Sequence, residues 1–347
     1  MSKTTKFDFH QIPAPLLSWY HANKRSLPWR ENPTPYRVWV SEIMLQQTRV
    51  EAVKEYFLRF MTELPTVEAL AECEEERLLK LWEGLGYYSR ARNLQKAAKK
   101  LVSFYGGGFP RDKNALMDLP GIGSYTAGAI VSIAFGLPTA AVDGNVFRVA
   151  ARLEENSTCI ADPKYRKYLE ETLTAVYPPN ECSAFTQSLF ELGALICKPQ
   201  NPDCEHCPLK GLCRAYQKGT QALFPVMPEK KAKRREKVYI FLIETPEGIC
   251  IRRREEGVLR GLNEFPSAVV YEGDSPEKVL NEWGMYEFTE VARKNYTHIF
   301  THIRWDITCV WVRVDGAPFD AYTLEEIEES ISLPTAFKQC LGILKEV

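Results

Sequence analysis

The chain has 347 residues, more than the roughly 250–300 that one hydrophobic core usually serves, so two domains are expected. Its hydrophobic fraction of 45% is that of a soluble globular protein. No apolar run is long enough for a membrane-spanning helix, and the polar residues 1–10 lack the apolar core of a signal peptide. A cytoplasmic protein of bacterial type, with no membrane partner, is therefore expected. A net charge of -1 excludes a protein that grips nucleic acid by bulk charge alone, so any DNA contact must be local.

In chain order, residues 9–216 alternate helix-period apolar stretches with short turns, which predicts an all-α first half. Residues 35–60 carry Val38, Val40, Ile43, Met44, Val50, Val53, Phe57 and Phe60 close enough to a period of 3.6 to bury one face. Residues 83–105 and 184–196 repeat the pattern. After Tyr216 the composition changes: Gly219, Pro225 and Pro228 precede a basic run of Lys230, Lys231, Lys233, Arg234, Arg235 and Lys237. That run reads either as a solvated linker or as a local nucleic-acid patch. Beyond it, Val238-Tyr-Ile-Phe-Leu-Ile243 and Gly248-Ile-Cys-Ile-Arg252 flank a Thr-Pro-Glu-Gly turn as hairpin partners. Residues 305–314 alternate like a long strand, whereas 275–283 and 324–330 look helical. The expected domains are thus a helical unit over 1–216, a linker over 217–237 and an α+β unit over 238–347.

Four cysteines crowd one loop as Cys197-x6-Cys204-x2-Cys207-x5-Cys213, while the other six are scattered singly. Four soft ligands at this density suit zinc or an iron-sulfur cluster, and ligand chemistry alone does not choose between them. Zinc sites more often show two Cys-x2-Cys pairs, so the spacing favours iron-sulfur. A second signal is Leu119-Pro-Gly-Ile-Gly-Ser-Tyr-Thr-Ala-Gly128, a glycine turn between helical stretches. There Gly121 and Gly123 would let backbone N–H groups close on a phosphate, although an ordinary tight helix connection has the same look. Third, Glu42 lies within the apolar Val38-Trp-Val-Ser-Glu-Ile-Met-Leu45 segment, where desolvation would raise its pKa toward that of a usable acid. Its alternative is an ion pair with Arg30 or Arg49. Asp143 follows Ala140-Ala-Val142 and precedes Gly144-Asn145, where a helix cap is the alternative to chemistry.

An acid on an early helix, a glycine hairpin, a following aspartate and then a cysteine cluster resemble, in that order, the iron-sulfur branch of the helix-hairpin-helix DNA glycosylases. Leu27-Pro-Trp-Arg30, Trp39-Val-Ser-Glu-Ile-Met-Leu-Gln-Gln-Thr48, Gly84-Leu-Gly-Tyr-Tyr88, Val142-Asp-Gly-Asn-Val-x-Arg148 and Glu191-Leu-Gly-Ala194 are similar to the adenine DNA glycosylases in particular. In the related endonuclease III, the residue before the hairpin threonine is a lysine that forms a Schiff base. Here that residue is Tyr125, and a phenol cannot form the imine. The second half resembles a Nudix-like lesion-reading domain through Gly261-Leu-Asn-Glu-Phe-Pro-Ser267, with Asn263 where the family has tryptophan. It lacks the Arg-Glu-x2-Glu-Glu metal helix of a Nudix hydrolase. Phe300-Thr-His302 is similar to the family's Phe-Ser-His loop, with Thr301 in place of serine.

The resemblance implies a monofunctional, monomeric base-excision-repair glycosylase with a 4Fe-4S cluster on Cys197, Cys204, Cys207 and Cys213. Its partner is double-stranded DNA carrying adenine opposite 8-oxoguanine, to which it goes in the nucleoid. By the same resemblance Glu42 is the acid and Asp143 stabilises the sugar cation, with Tyr125 and Asn145 in support. Arg25, Trp29, Arg30 and Gln187 border the adenine. Gln47, Leu85 and Tyr87 fill or flank the gap in the duplex, Tyr87 having core packing as its alternative. Gly121 and Gly123 hold the backbone, and Phe300, Thr301 and His302 read the lesion. The nearest rival is a bifunctional endonuclease III-like enzyme. A catalytically silent mispair-binding protein, with both carboxylates structural, is the rival from another class.

Overall fold

The computed structural model describes residues 6–229 and 232–345. Of the basic run, Lys230 and Lys231 lie outside the described residues. The chain divides into two compact units, 1–73 with 92–229 and 74–91 with 230–347.

Helices make up the first unit. Chain order gives α1 (Pro13–Asn23), α2 (Pro28–Glu31), α3 (Pro35–Leu45), α4 (Val50–Glu63) and α5 (Val67–Glu72). Next come α6 (Glu75–Trp82), which belongs to the second unit, and α7 (Ser89–Tyr105), whose first turn falls at the boundary. Then follow α8 (Lys113–Met117), α9 (Ser124–Ala129), α10 (Gly144–Glu154), α11 (Pro163–Thr174), α12 (Cys182–Leu195) and α13 (Arg214–Lys218). α3 begins where Thr34 accepts from the Arg37 N–H and Pro35 supplies a preset φ. Every residue from Val38 to Met44 is buried, so the helix is enclosed on all sides and carries Glu42 inside with it. The apolar period over 35–60 continues across two helices, because Gln47 at φ 59 breaks the chain between α3 and α4. α10 and α12 share a core with α1 and α11 through Val146, Phe147, Val149, Leu16, Leu169, Phe185 and Leu189. Their backbones meet at Gly193, where an added Cβ would lie 2.5 Å from the Asn145 Cβ. No larger residue fits there without moving Asn145.

In the second unit, β1 (Arg234–Thr245) lies between β2 (Gly248–Arg253) and β6 (Ile303–Arg313). β5 (Thr289–Ile299) pairs with β6, and β3 (Asn263–Glu264) with β2. Only the β1–β6 pairing is parallel among the described strands; β4 (Ser267–Val270) joins β1, and β7 (Asp320–Tyr322) joins β2. Alternation along β6 sends Trp305, Ile307, Cys309 and Trp311 into one core and Val310 and Val312 into the other. The first of these cores also takes Ile327 of α15 (Leu324–Glu329) and Phe337 of α16 (Thr335–Lys338); the second takes Val279 and Leu280 of α14 (Pro276–Glu282). The helical domain was expected to run unbroken over 1–216, but residues 74–91 group with the second unit. Polar ties from α6 and the residue after it run within that unit. Lys80 donates to the carbonyls of Ile327 and Ile331, and Glu83 accepts from the Leu333 N–H at 2.9 Å and from Lys338 at 3.1 Å. Residues 83–88, expected to open a helix, instead form a turn with Gly84, Gly86 and Tyr87 at positive φ.

Candidate active site

A cavity of about 740 Å³ in the first unit is lined by Glu42, Asp143, Tyr125 and Asn145 together with Arg25, Trp29, Arg30, Gln47 and Gln187. Each residue reaches it for a local reason. Glu42 is carried in by the enclosed helix α3 and is 5% exposed. Tyr125 comes from the first turn of α9, directly after the glycine hairpin. Asp143 caps α10, accepting the Val146 N–H at 2.8 Å, so the helix-cap alternative is correct and the residue faces the cavity as well. Trp29 packs edge-on against Phe57.

The two carboxylates have different surroundings. Tyr125 donates its hydroxyl hydrogen to Glu42. Burial pushes the Glu42 pKa up to about 7, Tyr125 opposing and the Asp143 charge adding to the rise. Arg30 bonds Glu191 at 2.9 Å, so the alternative of a Glu42–Arg30 ion pair is not taken. Burial also raises Asp143, but more donors resist it: the Val146 N–H, the Asn145 side-chain amide at 2.8 Å and the nearby Arg148 charge. Asp143 is thus furnished to hold a negative charge, and Glu42 to hold a proton.

Gly121 and Gly123 lie in the turn from α8 to α9, outside this cavity. Gly121 has φ +79, and a Cβ there would come 2.8 Å from the Asn93 Cβ, so glycine is required by the fold. Gly123 has open space around it. In the second unit, Phe300, Thr301 and His302 form the tip of the β5–β6 hairpin. The Phe300 ring packs against Trp305, while Thr301 and His302 are exposed. The Thr301 hydroxyl is 2.6 Å from that of Tyr87, which is 47% exposed and so does not take the core-packing alternative. Leu85 is buried at 6% exposure.

The four clustered cysteines gather beside α10. Arg152 of that helix, 2% exposed, donates to the Cys197 sulfur at 3.3 Å and to the carbonyls of Lys198 and Pro199. Burial raises Cys204 and Cys213 and pushes Cys207 up to about 12, and Cys197 raises each of them further. Four soft donors in one loop, with a buried guanidinium against one sulfur, fit a set of thiolate ligands whose charge needs a cation nearby.

Residues 40–175 match the HhH-GPD superfamily of base excision DNA repair proteins, residues 197–213 the iron-sulfur binding domain of endonuclease III, and residues 238–342 the NUDIX domain. The adenine DNA glycosylase of Mus musculus is 35% identical over 87% of this chain and 70% of its own length. That of Buchnera aphidicola subsp. Baizongia pistaciae is 32% identical over 94% of this chain and 92% of its own. The chain belongs to the adenine DNA glycosylase family. A thermostable thymine-DNA glycosylase superposes with a TM-score of 0.54 at 32% identity, covering 59% of this chain and 94% of that one. A non-covalent endonuclease III–DNA complex gives 0.51 at 31%, with the same coverage. The chain is accordingly a base-excision-repair N-glycosylase carrying a 4Fe-4S cluster, with a Nudix-like second domain.

Against this family background, three residues gain significance that the sequence did not assign. Arg148 donates to the Asn145 side chain at 2.7 Å and to the Cys197 and Gly193 carbonyls, tying the cysteine loop to the partner of Asp143. Arg152 holds the loop itself, and Glu191 holds two arginines at the cavity wall. The available signal was charge within apolar helix: Arg148 and Arg152 stand four apart on α10, and Glu191 lies between Phe190 and Leu192 on α12.

Proposed function

We propose that this chain, as a monomer, removes adenine mispaired with 8-oxoguanine, and also with guanine, from double-stranded DNA. An adenine inside a duplex is unreachable, so it must be extruded into the cavity at a cost of a few kcal/mol, which a mispair lessens. Arg25, Trp29, Arg30 and Gln187 border it there, and Gln47, which lines the same cavity, flanks the vacated stack. Gly121 and Gly123 present backbone N–H groups to a phosphate.

Glu42 delivers its proton to a ring nitrogen of the flipped adenine, because adenine leaves poorly as an anion. The glycosidic C–N bond then breaks with its electron pair going to the base, and the sugar is left as an oxocarbenium ion. Asp143, whose carboxylate accepts from Asn145 and the Val146 N–H, stabilises that cation electrostatically. Water adds to the sugar carbon, and its proton returns to the Glu42 carboxylate. Tyr125 orients Glu42 by its hydrogen bond and, lacking an amine, forms no imine, which favours the monofunctional reaction over the lyase rival. The cluster would sit on Cys197, Cys204, Cys207 and Cys213 and would supply structural cross-linking of the loop when bound. Thr301, hydrogen-bonded to Tyr87, would offer its hydroxyl to the lesion, between Phe300 and His302.

The observation that carries this reading is that Glu42 and Asp143, 101 positions apart in sequence as 143 minus 42, line one cavity in unlike electrostatic settings. The test is base release from duplexes carrying adenine opposite 8-oxoguanine, guanine or thymine. Fastest release opposite 8-oxoguanine, with no borohydride-trappable adduct, is the expected outcome. No release from any duplex would leave the silent mispair-binding protein as the better account.

A further inference from the structure

Glu191 is a buried carboxylate that the proposed chemistry does not use. It is 1% exposed and lies on α12 at the cavity wall. One of its oxygens accepts from the Arg25 Nε at 2.7 Å and from the Arg25 backbone N–H at 3.1 Å. The other accepts from the Arg25 Nη2 and the Arg30 Nη2, both at 2.9 Å. Arg30 closes the set by donating to the Arg25 carbonyl at 3.1 Å. One anion thus fixes two guanidinium groups, and the cluster carries a net charge of about +1 where the pair of arginines alone would carry +2.

We infer that Glu191 is a positioning residue that holds Arg25 and Arg30 at the cavity wall and cancels enough of their charge for Glu42 to keep its proton. The inference rests on the proposed role of Glu42 as acid. Arg30 lies within electrostatic reach of Glu42 and draws its pKa down, against the upward effects of burial and of Asp143. The charged and titratable groups around that cavity are Tyr125 of α9, Asp143 at the start of α10, Arg166 of α11, Glu191 of α12, and Arg25 and Arg30. Among them Glu191 is the anion bonded directly to the arginine that acts on Glu42. An unneutralised Arg30 would favour ionised Glu42, and the acid would be spent before neutral pH. The same ion pairs preset both guanidinium planes before a base arrives, so ordering them costs nothing on binding.

The test titrates the Glu42 carboxyl by difference infrared spectroscopy, with Glu42→Gln as the blank, so the readout does not depend on activity. Glu191→Gln is expected to lower the Glu42 pKa by about half a unit or more. Glu191→Asp, which keeps the charge, should restore it. Arg30→Gln should move the Glu42 pKa upward, and Glu191→Gln with Arg30→Gln together should return it near wild type. A Glu42 titration unmoved by Glu191→Gln, or moved upward, overturns the inference. If Glu191→Gln loses its cluster absorbance and does not fold, Arg30→Gln decides: an upward shift supports the inference and no shift overturns it. Adenine release in parallel separates the two claims, because shifted titrations in a protein that releases no adenine count against the proposed function and not against the role of Glu191.

Discussion

Glu42→Gln should inactivate the protein and stabilise it above neutral pH. In the folded chain the Glu42 pKa is pushed from its ordinary 4.5 up to about 7, chiefly by burial. The folded state therefore binds this proton more tightly than the unfolded state, and stability is lost as pH rises through that window. At 1.36 kcal/mol per pKa unit, a rise of about 2.5 units costs roughly 3 kcal/mol once the carboxyl is fully ionised. Glutamine never ionises and still offers an oxygen to the Tyr125 hydroxyl. The variant should exceed wild type by about 3 kcal/mol at pH 8 and by less than about 1 kcal/mol at pH 5. For a unit of this size that corresponds to a melting midpoint raised by ~6–12 °C at pH 8. Thermal melts followed through the visible absorbance of the cluster, at both pH values, provide the assay. Equal gaps at the two pH values, or a variant less stable than wild type at pH 8, would refute the assignment of a desolvated carboxyl.

Single-turnover base release should fall as pH rises through about 7, where Glu42 loses its proton, and should fall again on the acid side as Asp143, itself raised by burial, becomes protonated. A profile flat from pH 6 to 9 would count against Glu42 as acid. Gly121→Ala should destabilise the helical unit by about 1 kcal/mol or more, since it meets both a positive φ and the Asn93 side chain. Gly123→Ala should leave the melting midpoint nearly unchanged while weakening duplex affinity, and titrations of both variants against labelled duplex check the contrast. Cys204→Ser should lose the visible iron absorbance and duplex affinity together; a colourless wild type with one zinc per chain would oppose the ligand assignment.

The parts of the site that could be read from sequence are those whose chemistry is local. Glu42 declares itself as a carboxylate inside an apolar segment, and Cys197 to Cys213 declare themselves by density. The partner of Glu42 is 83 positions away, at Tyr125, and no local pattern reveals that hydrogen bond. The same limit hid Glu191, whose arginines come from α2 and the loop before it, more than 160 positions earlier. In the fold, hydrophobic period carried the reading through residues 46–49 and 83–88, because Gln47 and Tyr87 are left-handed without being glycine. β5 gave little signal since its residues alternate between exposed and half-buried, with none in the core. Residues 74–91 group with the second unit and share ties with it such as Lys80 to Ile331 and Glu83 to Leu333, which only tertiary structure brings together.

The account stands most directly on single-turnover release of adenine from a duplex with adenine opposite 8-oxoguanine, measured for wild type, Glu42→Gln and Asp143→Asn beside their duplex affinities. Both variants should bind the mispair and release essentially no base. Release by either at the wild-type rate would contradict the assignment of proton donor and cation stabiliser to these two carboxylates.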